Sequence, residues 1–82
     1  MEAPLMLWVD CLSGPGQRSL VPACERVFRL LHTRQPEQLD SLVTGTRPSV
    51  ICFDFDRPTE PQLGAMQAIK RRHAGIPVLM LT

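Results

Sequence analysis

The sequence has few cysteines, little net charge and no long apolar run, and each shortage excludes a class of protein. Its three cysteines, Cys11, Cys24 and Cys52, are odd in number and form no CxxC pair, so neither a disulfide framework nor a zinc site is expected. This cysteine usage favours a reducing, cytoplasmic environment. The net charge of +1 at pH 7 gives no electrostatic reason for these residues to bind nucleic acid directly.

The N-terminal stretch MEAPLMLWVD lacks the basic start of a signal peptide, and its apolar run is too short to cross a membrane. We therefore expect neither a leader nor a membrane partner. The chain of 82 residues has no internal repeat and no low-complexity tract, which predicts one small domain over residues 1–82. Its composition, 44% hydrophobic and 21% charged, is that of a globular protein and not of a disordered one.

Apolar runs and amphipathic segments alternate along the chain. The runs predict three strands, at residues 5–9, 49–53 and 76–81. Amphipathic spacing predicts two helices, at residues 36–44 with Gly45 as the stop, and from the Thr59–Gln62 capping box to about His73. Such alternation predicts an α/β fold, with a parallel sheet that helices cover on both faces.

Residues 20–33 fit two interpretations. Four apolar residues at helical spacing favour a helix from about 22 to 32: Ala23, Val27, Leu30 and Leu31. The alternative is a short helix near 17–25 followed by a strand from Val27 to His32. Periodicity favours the single helix slightly, so the sequence pattern alone leaves both open.

Three reactive side chains follow the predicted strands: Asp10, Asp54 and Thr82. Because the carboxyl ends of parallel strands meet at one edge of a sheet, all three would open onto the same crevice. Two neighbouring carboxylates repel each other, and Mg²⁺ would relieve that repulsion. A nearby hydroxyl could bind a phosphoryl oxygen, so the group suits phosphoryl transfer to an aspartate. Acids also end strands as ordinary turn residues, so the hypothesis depends on all three lying in register.

The segment RPSVICFDFDRP resembles the third strand and phospho-acceptor loop of the receiver domains of two-component response regulators. In that family a proline follows the acceptor aspartate by four positions, as Pro58 follows Asp54. LMLWVD is similar to the family's first strand and IPVLMLT to its fourth. The resemblance implies a flavodoxin-like, receiver-like three-layer fold, incomplete at its C-terminal end because the family's last helix, strand and helix fall outside these residues. It also implies a second strand, which favours a strand at 27–32.

The resemblance implies a role for each candidate residue. Asp54 would accept a phosphoryl group from a histidine kinase or phosphotransfer protein, and Thr82 would be the switch hydroxyl. Mg²⁺ would be held by Asp10, by Asp54 and by the backbone carbonyl of Asp56. Cys11 stands where the family has a second acid, so weak Mg²⁺ binding is expected. The chain would then be a bacterial signalling domain and not an enzyme, controlling an output such as transcription through a domain outside it.

Two other functions stay open. A degenerate receiver would bind partners without being phosphorylated, which the missing acid at Cys11 favours. CFDFDRPT also resembles the first motif of haloacid-dehalogenase-type phosphatases, with Asp54 as nucleophile and Asp56 as general acid/base, although Arg57 and Pro58 depart from that motif. The last predicted strand would form an exposed apolar edge, so we expect a longer chain or a second copy to complete the sheet.

Overall fold

A parallel four-stranded sheet forms the centre of the chain. The computed structural model describes residues 3–12 and 20–81. The strands are β1 (Leu5–Cys11), β2 (Arg29–Thr33), β3 (Val50–Phe55) and β4 (Val78–Leu81). The helices are α1 (Leu20–Glu25), α2 (Leu39–Thr46) and α3 (Glu60–Arg72), and a 3-10 turn at Pro36–Gln38 precedes α2. The strand order is β2-β1-β3-β4 with every pair parallel, so the predicted α/β fold with a parallel sheet is confirmed.

Apolar side chains are buried on both faces of the sheet, as the lack of alternation in the strands predicts. On one face, alternate residues of β1 and β3 pack with α2 and α3 in a cluster of nine buried side chains: Leu7, Val9, Leu39, Val43, Ile51, Phe53, Phe55, Met66 and Ile69. The other face has a smaller cluster, Met6, Trp8, Val50 and Cys52, against which Cys24 of α1 packs. The two central strands are therefore almost entirely enclosed, and their carboxyl ends form the floor of any site at that edge.

The ambiguous segment contains a helix and a strand. α1 occupies Leu20–Glu25, and β2 pairs with β1 from Leu5↔Arg29 to Val9↔Thr33. The strand at 27–32 is thus confirmed with a shift of its bounds, and the continuous helix from 22 to 32 is wrong. Leu30 and Leu31 lie on opposite faces of the sheet, where each packs against a different cluster, so tertiary burial outweighs their helical spacing.

α2 ends later than predicted. Gly45 lies inside the helix, which continues to Thr46 and ends at Arg47, whose φ of 49° is left-handed. The Arg47 N–H donates to Val43 O at 2.9 Å, a left-handed C-terminal cap. Pro48 follows directly, and a proline disfavours helical geometry in the residue before it. The proline, rather than the glycine, therefore sets the end of this helix.

β3 also extends beyond its predicted end at residue 53. It continues to Phe55, which pairs with Cys11 of β1 and is fully buried in the larger cluster. The Phe53 and Phe55 ring centroids are 5.9 Å apart on that face. Because Phe55 repeats the buried face of Phe53, the strand continues through Asp54, which lies within the sheet and not after it.

The edge strand β4 is shorter than predicted, beginning at Val78 rather than at residue 76. Leu79 and Met80, which point to opposite faces, are each 49% exposed. Among the described strands, β4 pairs with β3 alone. Within the described residues no helix has the length and apolarity needed to traverse a lipid bilayer.

Candidate functional site

The candidate site lies where the strand order reverses. The chain passes from β1 to β2 on one side and then crosses to β3 on the other side of β1. In open parallel sheets such a reversal leaves a crevice beyond the carboxyl ends of the two strands, and ligands bind there. Asp10 and Asp54 are direct register partners at this end of β1 and β3. The structure thus brings together two of the acids that the sequence predicts to be neighbours.

Asp10 is held by the residues that follow β1 and β2. Its Oδ1 accepts the backbone N–H of Leu12 at 3.0 Å, which makes a tight turn at the end of β1. Its Oδ2 lies 3.7 Å from Nε of Arg34, and Nη2 of Arg34 donates to Leu12 O at 3.0 Å. Arg34 therefore connects the ends of the two strands through both the side chain of Asp10 and the backbone after it.

Asp54 is a buried carboxylate. Its exposed fraction is 1%, which makes it the one buried charged residue in the described part of the chain. No buried side-chain nitrogen or oxygen among the described residues lacks a hydrogen-bond partner, so this carboxylate is satisfied where it lies. Its position within β3, one residue before Phe55, accounts for the burial. A molecule that reacts with the Asp54 carboxylate can therefore reach it only after a local movement of the protein.

A cleft of about 400 Å³ is lined by residues that follow β1, β2 and β3. Its charged lining alternates in sign: Asp10 and Arg34 come from one side, Asp56 and Arg57 from the β3–α3 loop. Asp56 is exposed, and its Oδ1 accepts the N–H of Arg57 at 2.7 Å. Asp54 is not one of the described residues that line the cleft. The described charged groups that line the cleft are therefore two carboxylates and two guanidinium groups.

The predicted capping box fixes the start of α3 at the rim of this cleft. Thr59 Oγ1 accepts the N–H of Gln62 at 3.3 Å, and Gln62 Oε1 accepts the N–H of Thr59 at 3.0 Å. Both residues line the cleft. Each of the two residues thus accepts, with its side chain, the backbone N–H of the other. These two hydrogen bonds fix the geometry in which the loop that carries Asp56 enters α3.

Cys11 takes the position beside Asp10 at the end of β1. Burial raises the pKa of the Cys11 thiol, and the charges of Asp10 and then Asp54 raise it further, while Arg34 acts in the opposite direction. The thiol is therefore protonated and neutral at physiological pH. A protonated thiol is a poor ligand for a hard cation, which prefers oxygen.

The predicted Mg²⁺ ligands are only partly assembled. Across residues 3–12 and 20–81, no group of three or more His, Cys, Asp or Glu side chains could hold a metal ion. Asp10 and Asp54 are neighbours, Asp56 extends to the surface, and Cys11 supplies no charge. Magnesium binding therefore stays a prediction. Thr82, the predicted switch hydroxyl, lies outside the described residues.

The sequence patterns did not single out Arg34 and Arg57 as site residues. Arg57 was noted only as a departure from a phosphatase motif. Arg34 directly follows β2 and Asp10 is the next-to-last residue of β1, and the register pair Val9↔Thr33 places these two residues side by side. The signal for Arg34 was thus present once a strand at 27–32 was considered. The proximity of Arg34 to Asp10 can be predicted only when β2 is known to pair with β1.

Comparison of the chain with protein-family models, with characterised proteins and with solved structures finds no match. The geometry of the cleft and the sequence motifs of the chain are therefore the basis for proposing a function.

Proposed function

We propose that this chain is a receiver-like signalling domain of the flavodoxin-like class, in which Asp54 accepts a phosphoryl group from a partner histidine kinase or phosphotransfer protein. The observation that carries the proposal is the register pair Asp10↔Asp54 at the reversal of the strand order. An order of β2-β1-β3-β4 is the beginning of the doubly wound order whose ligand site lies between β1 and β3.

The surroundings of Asp54 support the same function. Pro58 follows Asp54 by four positions, and the Thr59 cap starts α3 immediately afterwards. The loop between them is short, so a change at Asp54 would be transmitted to the start of α3. Thr82 keeps its proposed role as switch hydroxyl, and an output domain outside these residues keeps its role as the recipient of the signal.

The proposed transfer is balanced without any further reactant. A carboxylate oxygen of Asp54 attacks the phosphorus of a phosphohistidine, a P–O bond forms and the P–N bond breaks, and the leaving imidazole takes up a proton. Because Asp54 is 1% exposed, a local movement must uncover this oxygen before it can reach the phosphorus, and we propose that the β3–α3 loop, which directly follows Asp54, is the part that moves. The apparent rate of phosphorylation is therefore proportional to the fraction of molecules in which the loop is open.

A second candidate function is a receiver-like module that binds its partner without phosphorylation. The neutral Cys11 and the pairing of Asp10 with Arg34 favour it, because both leave the cleft without the full set of acids. In this case the alternating charges of the cleft, and not a covalent group, would form the contact with the partner. The phosphatase function has less support, because Arg57 and Pro58 depart from the phosphatase motif.

The deciding experiment is phosphorylation of the full chain with acetyl phosphate in Mg²⁺, followed by intact-mass analysis. An adduct of about 80 Da, the mass of one PO₃ unit, is expected on the wild type and not on Asp54→Asn. Asp56→Asn is the matched control, since it removes a neighbouring acid that is exposed, and it should still be modified.

Each alternative outcome has its own meaning. If the wild-type chain carries no adduct after long incubation and its circular dichroism spectrum is the same as before incubation, the acceptor function is overturned and the binding module remains. Steady turnover of p-nitrophenyl phosphate that is lost in Asp54→Asn points instead to the phosphatase.

A further inference from the structure

The resident cation of the cleft is a side chain of the protein itself. Arg34 makes an ion pair with Asp10 and a hydrogen bond with Leu12 O, while Leu12 donates to Asp10. These three contacts close a ring around the end of β1. No other described contact joins the end of β2 to the carboxylate of Asp10. The guanidinium thus places positive charge beside Asp10, one of the acids that a metal-dependent site would use.

We infer that Arg34 is the built-in counter-ion of Asp10, so that the cleft is organised without a metal and a divalent cation binds only by displacing Arg34. The inference deepens the proposed function, because it concerns how the same cleft is charged. It would make Arg34 a positioning residue that regulates access of Mg²⁺ to the acids.

The charge distribution supports this role. Asp10 and Asp54 are adjacent in register, and repulsion between them must be offset for the sheet edge to be stable. Arg34 supplies positive charge beside this pair of acids, with its Nε 3.7 Å from Asp10 Oδ2.

The exposure of Arg34 supports displacement rather than a permanent block. Its side chain is 63% exposed against 25% for Asp10, and the Nε–Oδ2 distance of 3.7 Å is long for a charged hydrogen bond. Exposed pairs of this kind are weak and are screened by salt. A dication at millimolar concentration can therefore compete with the guanidinium for Asp10.

The test is a Mg²⁺ titration of the EDTA-treated full chain by isothermal calorimetry, with no phosphodonor present. Trp8 is the single tryptophan and lies on the same face of β1 as Asp10, so its fluorescence provides a second readout. Removing the local charge in Arg34→Gln should tighten Mg²⁺ binding between about threefold and tenfold. Arg34→Lys keeps the charge and should remain near the wild type.

Arg29→Gln is the matched control. Arg29 begins β2, at the opposite end of the same strand, so its loss removes an equal charge far from the cleft. It should leave Mg²⁺ affinity unchanged. The inference is overturned if Arg34→Gln binds Mg²⁺ no tighter than the wild type, including no binding at all, or if Arg29→Gln tightens binding equally.

A measurement on the wild type covers the case in which Arg34→Gln does not fold. The ¹⁵N–¹H resonance of Arg34 Nε should shift on Mg²⁺ addition with the same midpoint as the Trp8 signal, and an unchanged resonance overturns the inference. Because phosphorylation is not measured, failure of the displacement and failure of Asp54 to accept a phosphoryl group are separate results.

Discussion

Replacing Cys11 with aspartate tests how the end of β1 is charged. The new carboxylate would lie beside Asp10 and near Asp54, the two acids whose charges already raise the pKa of the Cys11 thiol. Cys11 is partly buried and packs against the larger core cluster, so the added charge is poorly solvated. We therefore expect Cys11→Asp to be less stable than the wild type in metal-free buffer.

The size of the loss follows from Coulomb's law. At separations of about 8 Å and an effective dielectric constant between about 20 and 80, each repulsion costs about 0.5–2 kcal/mol. Arg34 offsets roughly one of the two interactions, so the net decrease in the free energy of unfolding should be about 0.5–2 kcal/mol. A divalent ion that binds only the folded state stabilises it by linkage, by about 2.7 kcal/mol when the ion concentration is a hundred times its dissociation constant.

Urea unfolding, followed by Trp8 fluorescence in EDTA and in Mg²⁺, measures both effects. Cys11→Asn is the matched control, because it has the shape of aspartate without the charge and separates lost packing from repulsion. Mg²⁺ should raise the stability of Cys11→Asp more than that of Cys11→Asn. Equal stability of the Asp and Asn variants in EDTA would refute the electrostatic reasoning.

Two further predictions concern pH and the contact between α2 and α3. The folded protein keeps the Cys11 proton above about pH 8.5, where an unfolded cysteine loses it, so the free energy of unfolding should fall as pH rises beyond that value. Urea titrations should show a smaller fall in Cys11→Ser, and parallel curves would contradict this. Asp40 lies 2.9 Å from His73 Nε2, so a double-mutant cycle with alanine at both positions should give a coupling of about 0.5 kcal/mol that weakens in about 1 M NaCl. A zero coupling at low salt would show that the pair contributes nothing.

The sequence predicted the class of fold because its strands are continuous apolar runs, and the two central ones, β1 and β3, are buried on both faces of the sheet. It predicted the start of α3 because the capping box is a local device, complete within Thr59–Gln62. The element ends were harder, because they depend on contacts between distant residues. Phe55 extends β3 since the core cluster has room for a second ring beside Phe53, and nothing in the adjacent sequence indicates that room.

The candidate site divides in the same way. Asp10 and Asp54 could be paired in advance, because acids at the ends of parallel strands must meet at one edge of the sheet. The burial of Asp54 could not be predicted, since it follows from the extension of β3. Arg34 was missed because its role depends on the order of the strands: it contacts Asp10 only when β2 lies directly beside β1.

The burial of Asp54 changes how a slow phosphorylation should be interpreted. If the loop is open in only a small fraction of molecules, the observed rate is the intrinsic rate multiplied by that fraction, even when the carboxylate is fully competent. A slow reaction is therefore expected of an acceptor in this geometry and does not indicate a degenerate site. The two functions differ in whether the adduct accumulates, because an acceptor reaches a level set by the rates of phosphorylation and of acyl phosphate hydrolysis, whereas a binding module stays unmodified. Loosening the loop by Thr59→Ala, which removes the α3 cap, should then speed modification of an acceptor and leave a binding module unmodified.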